Sequence, residues 1–78
     1  GSMIEKYIFL KTEQDAVRLN GIVTKYPYDI DMVHGKYVVD AKSILGVLGV
    51  GVGNKTKLCI NTDEAEQLLE EITPYLCG

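Results

Sequence analysis

Between Ile4 and Lys11 the apolar residues Ile4, Ile8 and Leu10 keep a two-residue period that Lys6 interrupts, with Tyr7 and Phe9 on the other side. The pattern predicts a strand with apolar character on both faces. The period then lengthens. Thr12 is a capping residue, Glu13 and Asp15 place acid in a first helical turn, and Ala16, Leu19, Val23 and Tyr26 follow at spacings of three and four, a helix that Pro27 stops. Tyr28, Ile30 and Met32 alternate with Asp29 and Asp31 as a half-buried second strand. His34-Gly35-Lys36 is a turn, and Tyr37, Val39 and Ala41 alternate back along a third strand. A short second helix is predicted from Ser43 to about Leu48, ended by Gly49, with a loop from Gly49 to Asn54. Thr56, Leu58 and Ile60 mark a fourth strand. Asn61 and Asp63 then offer caps with Glu64 or Glu66 three residues on, and Ala65, Leu68, Leu69, Ile72 and Leu76 form a helical stripe whose end Pro74 kinks or frays.

The order is strand, helix, strand, strand, helix, strand, helix. Short connections and one strongly apolar face per strand predict an α+β open-faced β-sandwich: a four-stranded, mostly antiparallel sheet with its helices on one face. Helices one and three are expected over that face, with Asp29, Asp31 and Cys59 on the opposite one.

At 78 residues the chain is expected to form one domain, 3–78, with Gly1-Ser2 before Met3 reading as an expression-tag remnant. A chain this short holds one core and little room for an enclosed active site, so no enzyme is expected. Its net charge of -3 argues against nucleic acid or an anionic membrane as partner, because neither would be held by phosphate neutralisation. No apolar run approaches membrane-spanning length and no signal-peptide pattern follows Met3, which makes a cytoplasmic location the expectation. Two cysteines, Cys59 and Cys77, and a single histidine suggest neither a metal site nor a disulfide framework, and no cofactor is expected.

Four local motifs carry candidate chemistry. Gly49 to Thr56 superficially resembles a phosphate loop, but Asn54 separates glycine from lysine, and the flanking elements come in the wrong order, helix before and strand after. Asp29 and Asp31 share the polar face of a strand and imply no acid/base pair. His34, beside Gly35, reads as a turn residue. The most informative stretch is V-V-D-A-K-S-I-L-G, Val38 to Gly46, which carries a strand end into a Lys-Ser step and then an apolar helix start. Ser43 thus sits at the N-cap, where its hydroxyl accepts from an unpaired backbone N–H and where an added phosphate would meet the positive end of the helix. Ile44, Leu45, Val47 and Leu48 make this helix apolar all round, so that some of them are expected at the surface as a partner-binding patch.

V-D-A-K-S-I-L-G-V-L resembles the regulatory-serine region of HPr, the small phosphocarrier of the bacterial phosphoenolpyruvate-dependent sugar phosphotransferase system, and the order of elements matches along nearly the whole chain. The resemblance implies that fold. It implies also that Ser43 corresponds to the site used by HPr kinase in carbon catabolite control, and that the second helix is a docking surface for protein partners such as the kinase or a transcriptional regulator. The family's carrier histidine opens the first helix in a G-x-H-A-R-P type sequence; here K-T-E-Q-D-A-V-R stands instead, with Thr12 near the histidine position and Arg18 six residues beyond it. The expectation is a regulatory binding module without phosphohistidine activity, similar in kind to the catabolite-repression HPr homologue. Two alternatives stand beside it: a phosphocarrier using Thr12 or His34, and an assembly module that is never phosphorylated. A monomer or weak homo-oligomer is expected.

Overall fold

A computed structural model describes residues 3–78; Gly1 and Ser2, and with them the tag reading, lie outside the described residues. The strands are β1 (Ile4–Phe9), β2 (Ile30–His34), β3 (Tyr37–Asp40), β4 (Lys55–Ile60) and β5 (Leu76–Cys77), and the helices α1 (Glu13–Val23), α2 (Ile44–Gly51) and α3 (Glu66–Glu71). They form one sheet in the order β3-β2-β4-β1-β5. All its neighbouring strands run antiparallel.

The two-residue periods become two faces. Ile8 and Leu10, Ile30 and Met32, and Thr56, Leu58 and Ile60 are buried under the helices, joined by Ala16, Leu19 and Val23 of α1, Val47 of α2 and Leu68 of α3. The open face carries Glu5, Tyr7 and Phe9, with Asp31 opposite Cys59 across the β2–β4 ladder as expected. Asp29 lies exposed just before β2. The Thr56 hydroxyl lies among these apolar side chains without a hydrogen-bond partner.

Several boundaries depart from the sequence-based expectation. The sheet has five strands, not four, because Leu76 leaves the predicted third helix: α3 stops at Glu71, a 3₁₀ turn spans Thr73–Tyr75 with Pro74 at its start, and Leu76 and Cys77 pair with Ile8 and Tyr7. Proline cannot supply the N–H that would continue the helix, and the extended residues after it find the free edge of β1. Neither Asn61 nor Asp63 is the N-cap of α3; the position falls to Ala65, which makes no side-chain cap bond. The second helix passes through Gly49 to Gly51, because the left-handed glycine that follows it is Gly53, with φ of 79°. His34 closes β2 opposite Tyr37, and the turn is the two residues Gly35 and Lys36, with glycine at the position whose φ is 59°.

Candidate functional site

The start of α2 is built by the chain leaving β3. The Asp40 carbonyl accepts from Ser43 N (2.9 Å), and Asp40 Oδ1 accepts from Lys42 N (2.8 Å), so one residue turns the backbone off the sheet. Ser43 is extended (φ -91°, ψ 113°) and its Oγ accepts from Gly46 N at a long 3.4 Å. The first helical bond is Val47 N to Ser43 O (3.0 Å), which leaves the N–H groups of Ile44 and Leu45 without an acceptor inside the helix. No acidic residue lies in this first turn.

Distant residues hold the segment in place. Asn20 Nδ2 of α1 donates to the Ala41 carbonyl (3.2 Å), and Lys42 Nζ donates to the Tyr26 carbonyl (2.6 Å). The Tyr26 hydroxyl donates in turn to Glu71 Oε1, whose other oxygen accepts from Lys25 Nζ at 2.5 Å. That bond to Glu71, with burial and the carboxylate's charge, pushes the Tyr26 phenol up to about 12. The Glu71 carboxyl is held below its ordinary value, first by Lys25 and then by Tyr26. Gly46 permits close approach, since a Cβ there would lie 3.0 Å from Val39 Cβ. The sequence places Tyr26 only in the apolar stripe of the first helix and does not single out Asn20. Their partners lie far along the chain and no local period marks these contacts.

The expected apolar patch divides. Leu45 is 80% exposed and Ile44 36%, whereas Val47 is fully buried and Leu48 packs against the core. Val47 therefore cannot meet a partner. It lies one turn before Gly51, whose own Cβ position is 2.9 Å from Met32 Sδ, so both belong to the stripe that α2 lays on the sheet.

The start of α1 is closed differently. Thr12 Oγ1 accepts from Asp15 N (3.1 Å), and Asp15 Oδ2 accepts from both Lys11 N (3.2 Å) and Thr12 N (3.3 Å), a complete capping box. Asp15 Oδ1 also meets exposed Arg18 at 3.6 Å. A second contact ties this end of the molecule to the far end of α2: Leu10 bridges Val52, and Gly53 N donates to the Leu10 carbonyl (2.8 Å).

The sequence's single histidine, His34, places Nδ1 3.3 Å from the Lys55 carbonyl, and with Tyr37, Gly49, Val50 and Asn54 it lines an open cavity of about 400 Å³. Cys59 is half-buried, its thiol pushed up by burial, and Cys77 is exposed; both are free. Among the described residues no three His, Cys, Asp or Glu side chains are grouped to hold a metal ion, and no helix is long and apolar enough to cross a membrane.

A family model described as "PTS HPr component phosphorylation site" matches residues 14–76. The chain belongs to the HPr family. The match begins after Thr12 and so says nothing of that position. Among solved structures, the phosphocarrier protein HPr from Bacillus anthracis str. Ames is 23% identical with a TM-score of 0.73, over 99% of this chain and 100% of that one. HPr-C-His from Thermoanaerobacter tengcongensis is 25% identical with a TM-score of 0.71, over 95% and 89%. No curated protein sequence matches. The likeness to the HPr from B. anthracis carries the open-faced fold alone.

Proposed function

We propose that this HPr-family protein is a regulatory binding module of the phosphotransferase system, switched by phosphorylation of Ser43 and without phosphohistidine carrier activity. The observation that carries the reading is the contrast between two helix starts. At α1 a threonine stands near the carrier position, and Glu13 and Asp15 lie in the first turn, so negative charge occupies the place where a phosphoryl group would need positive. At α2 the exposed Ser43 hydroxyl stands before two N–H groups with no helical acceptor and no first-turn acid.

A phosphate on Ser43 brings a charge of roughly -1.5 to -2 to the positive end of α2. Asp40 opposes it, while the ammonium of Lys42, the residue before Ser43, attracts it and already donates to the Tyr26 carbonyl at 2.6 Å. Modification thus leaves the fold intact and changes the charge beside Ile44 and Leu45, the exposed part of the helix, where a protein partner docks. A cytoplasmic location goes with this reading.

HPr kinase with ATP is expected to add one phosphoryl group to the protein and none to the Ser43→Ala variant. Enzyme I with phosphoenolpyruvate is expected to add no acid-labile phosphate. Failure of the kinase under conditions that modify an ordinary HPr would replace the switch with a constitutive assembly role for the Leu45 surface, and acid-labile phosphate on the wild type would restore a carrier using His34.

A further inference from the structure

At the β3 edge of the sheet, hydrogen-bond parity is set by the hairpin. His34 and Tyr37 flank a two-residue turn, and Ala41 N donates to the Ile30 carbonyl (2.9 Å), so residues 37, 39 and 41 turn their backbone groups inward to β2. The N–H and carbonyl of Val38 therefore point outward, away from the sheet. Val38 is 62% exposed and Tyr37 57%, and the edge carries no proline. Charge is arranged unusually here. Asp31 and Asp40 are direct cross-strand partners, and among the described residues neither is ion-paired with a cation. Two carboxylates so placed repel. In the turn before the same strand, exposed Lys36 has, among the described residues, only the ring of Tyr37, 5.8 Å away.

We propose that the β3 edge pairs antiparallel with the β3 edge of a second copy of this chain, about a two-fold axis at Val38, extending the sheet through both molecules. In that register the two Val38 residues exchange N–H···O bonds, Tyr37 faces the partner's Val39, and Lys36 meets the partner's Asp40. The segment Lys36-Tyr37-Val38-Val39-Asp40, β3 with the turn residue before it, is self-complementary in charge only when antiparallel. Two symmetric ion pairs then relieve the repulsion between Asp31 and Asp40. The edge is four residues long, so the interface is small and the dimer weak, roughly millimolar.

Sedimentation equilibrium of the full chain from micromolar to millimolar concentration tests this. The wild type is expected to rise toward twice its monomer mass. Val38→Lys, which puts like charges on the two-fold axis, and Lys36→Glu are each expected to weaken association at least tenfold, while Leu45→Lys on α2 leaves it unchanged. All three positions are exposed, and amide NMR spectra at low concentration confirm that each variant is folded. A wild type that stays monomeric throughout, a dimer that survives Val38→Lys, or one lost in Leu45→Lys overturns the proposal; the last would place association on the α2 surface instead.

Discussion

The helix starts at Thr12 and Ser43 use the same chemistry, a β-hydroxyl accepting from the third residue of the helix, and reach opposite electrostatic ends. Thr12 binds at 3.1 Å inside a closed box whose carboxylate answers the helix dipole. Ser43 binds at 3.4 Å, followed by isoleucine, leucine and glycine, and nothing answers the dipole there. A helix start that carries its own anion has little use for another, whereas one that lacks it favours an incoming anion. The cap residue is similar in the two places. What differs is the residue three positions on, Asp15 against Gly46.

That difference predicts unequal costs. Thr12→Ala is expected to destabilise the protein by about 1 to 2 kcal/mol, because the box loses its hydroxyl and frees Asp15 N, while Ser43→Ala with its long bond costs about 0.5 kcal/mol. Urea titrations at equal slope measure both; equal losses would show that the two caps do not differ in kind. Thr56→Val tests the background against which these are read. Its buried hydroxyl has no partner, so the variant is expected to gain about 1 kcal/mol, unlike either cap variant.

Ser43→Asp sharpens the electrostatic half of the comparison. A carboxylate at that cap is expected to stabilise by about 0.3 to 1 kcal/mol at low ionic strength, an effect that fades in high salt and below the carboxylate's titration. Thr12→Asp, which sets a second carboxylate against Asp15, is expected to gain nothing or lose. A gain at both starts would dissolve the distinction between them.

The smallest expected effect lies in the tether behind Ser43. Tyr26 is raised from the ordinary 10 to about 12, so the folded protein holds that proton more tightly than the unfolded chain does. Its contribution is whole below the unfolded value and is lost as pH rises through about 12. Glu71 is lowered, so its contribution is present above the ordinary carboxylate range and lost as pH falls through its folded value. Tyr26→Phe should flatten the alkaline arm of a stability–pH curve measured by thermal melts, and Glu71→Gln should flatten both. An alkaline arm unchanged in Tyr26→Phe would remove Glu71 from the support of the α2 start.

Periodicity alone predicted the buried faces of β1, β2 and β4, because a strand alternates strictly and half of its residues must leave water together. Thr12 and Ser43 were also legible. A capping residue before a first turn is a local signal, since the hydrogen bond it makes spans only three residues. The open face with Asp31 and Cys59 followed from the same alternation.

Other features were settled only when the chain closed on itself. Leu76 fits a helical stripe by spacing, yet the exposed edge of β1 offered hydrogen bonds that a helix interrupted by Pro74 could not. Val47 and Leu45 are alike as apolar residues of one helix, and which of them meets solvent depended on where the sheet lies, with Gly46 and Gly51 setting how closely α2 approaches it. Asn20, Tyr26 and Glu71 reach the Ser43 segment or its tether across long stretches of chain, contacts that no local pattern encodes. Short-range geometry is written in the order of residues, because the bonds it makes join near neighbours. The choice between an exposed and a buried position on one helix belongs to packing, because only the assembled core determines which side of that helix is away from water.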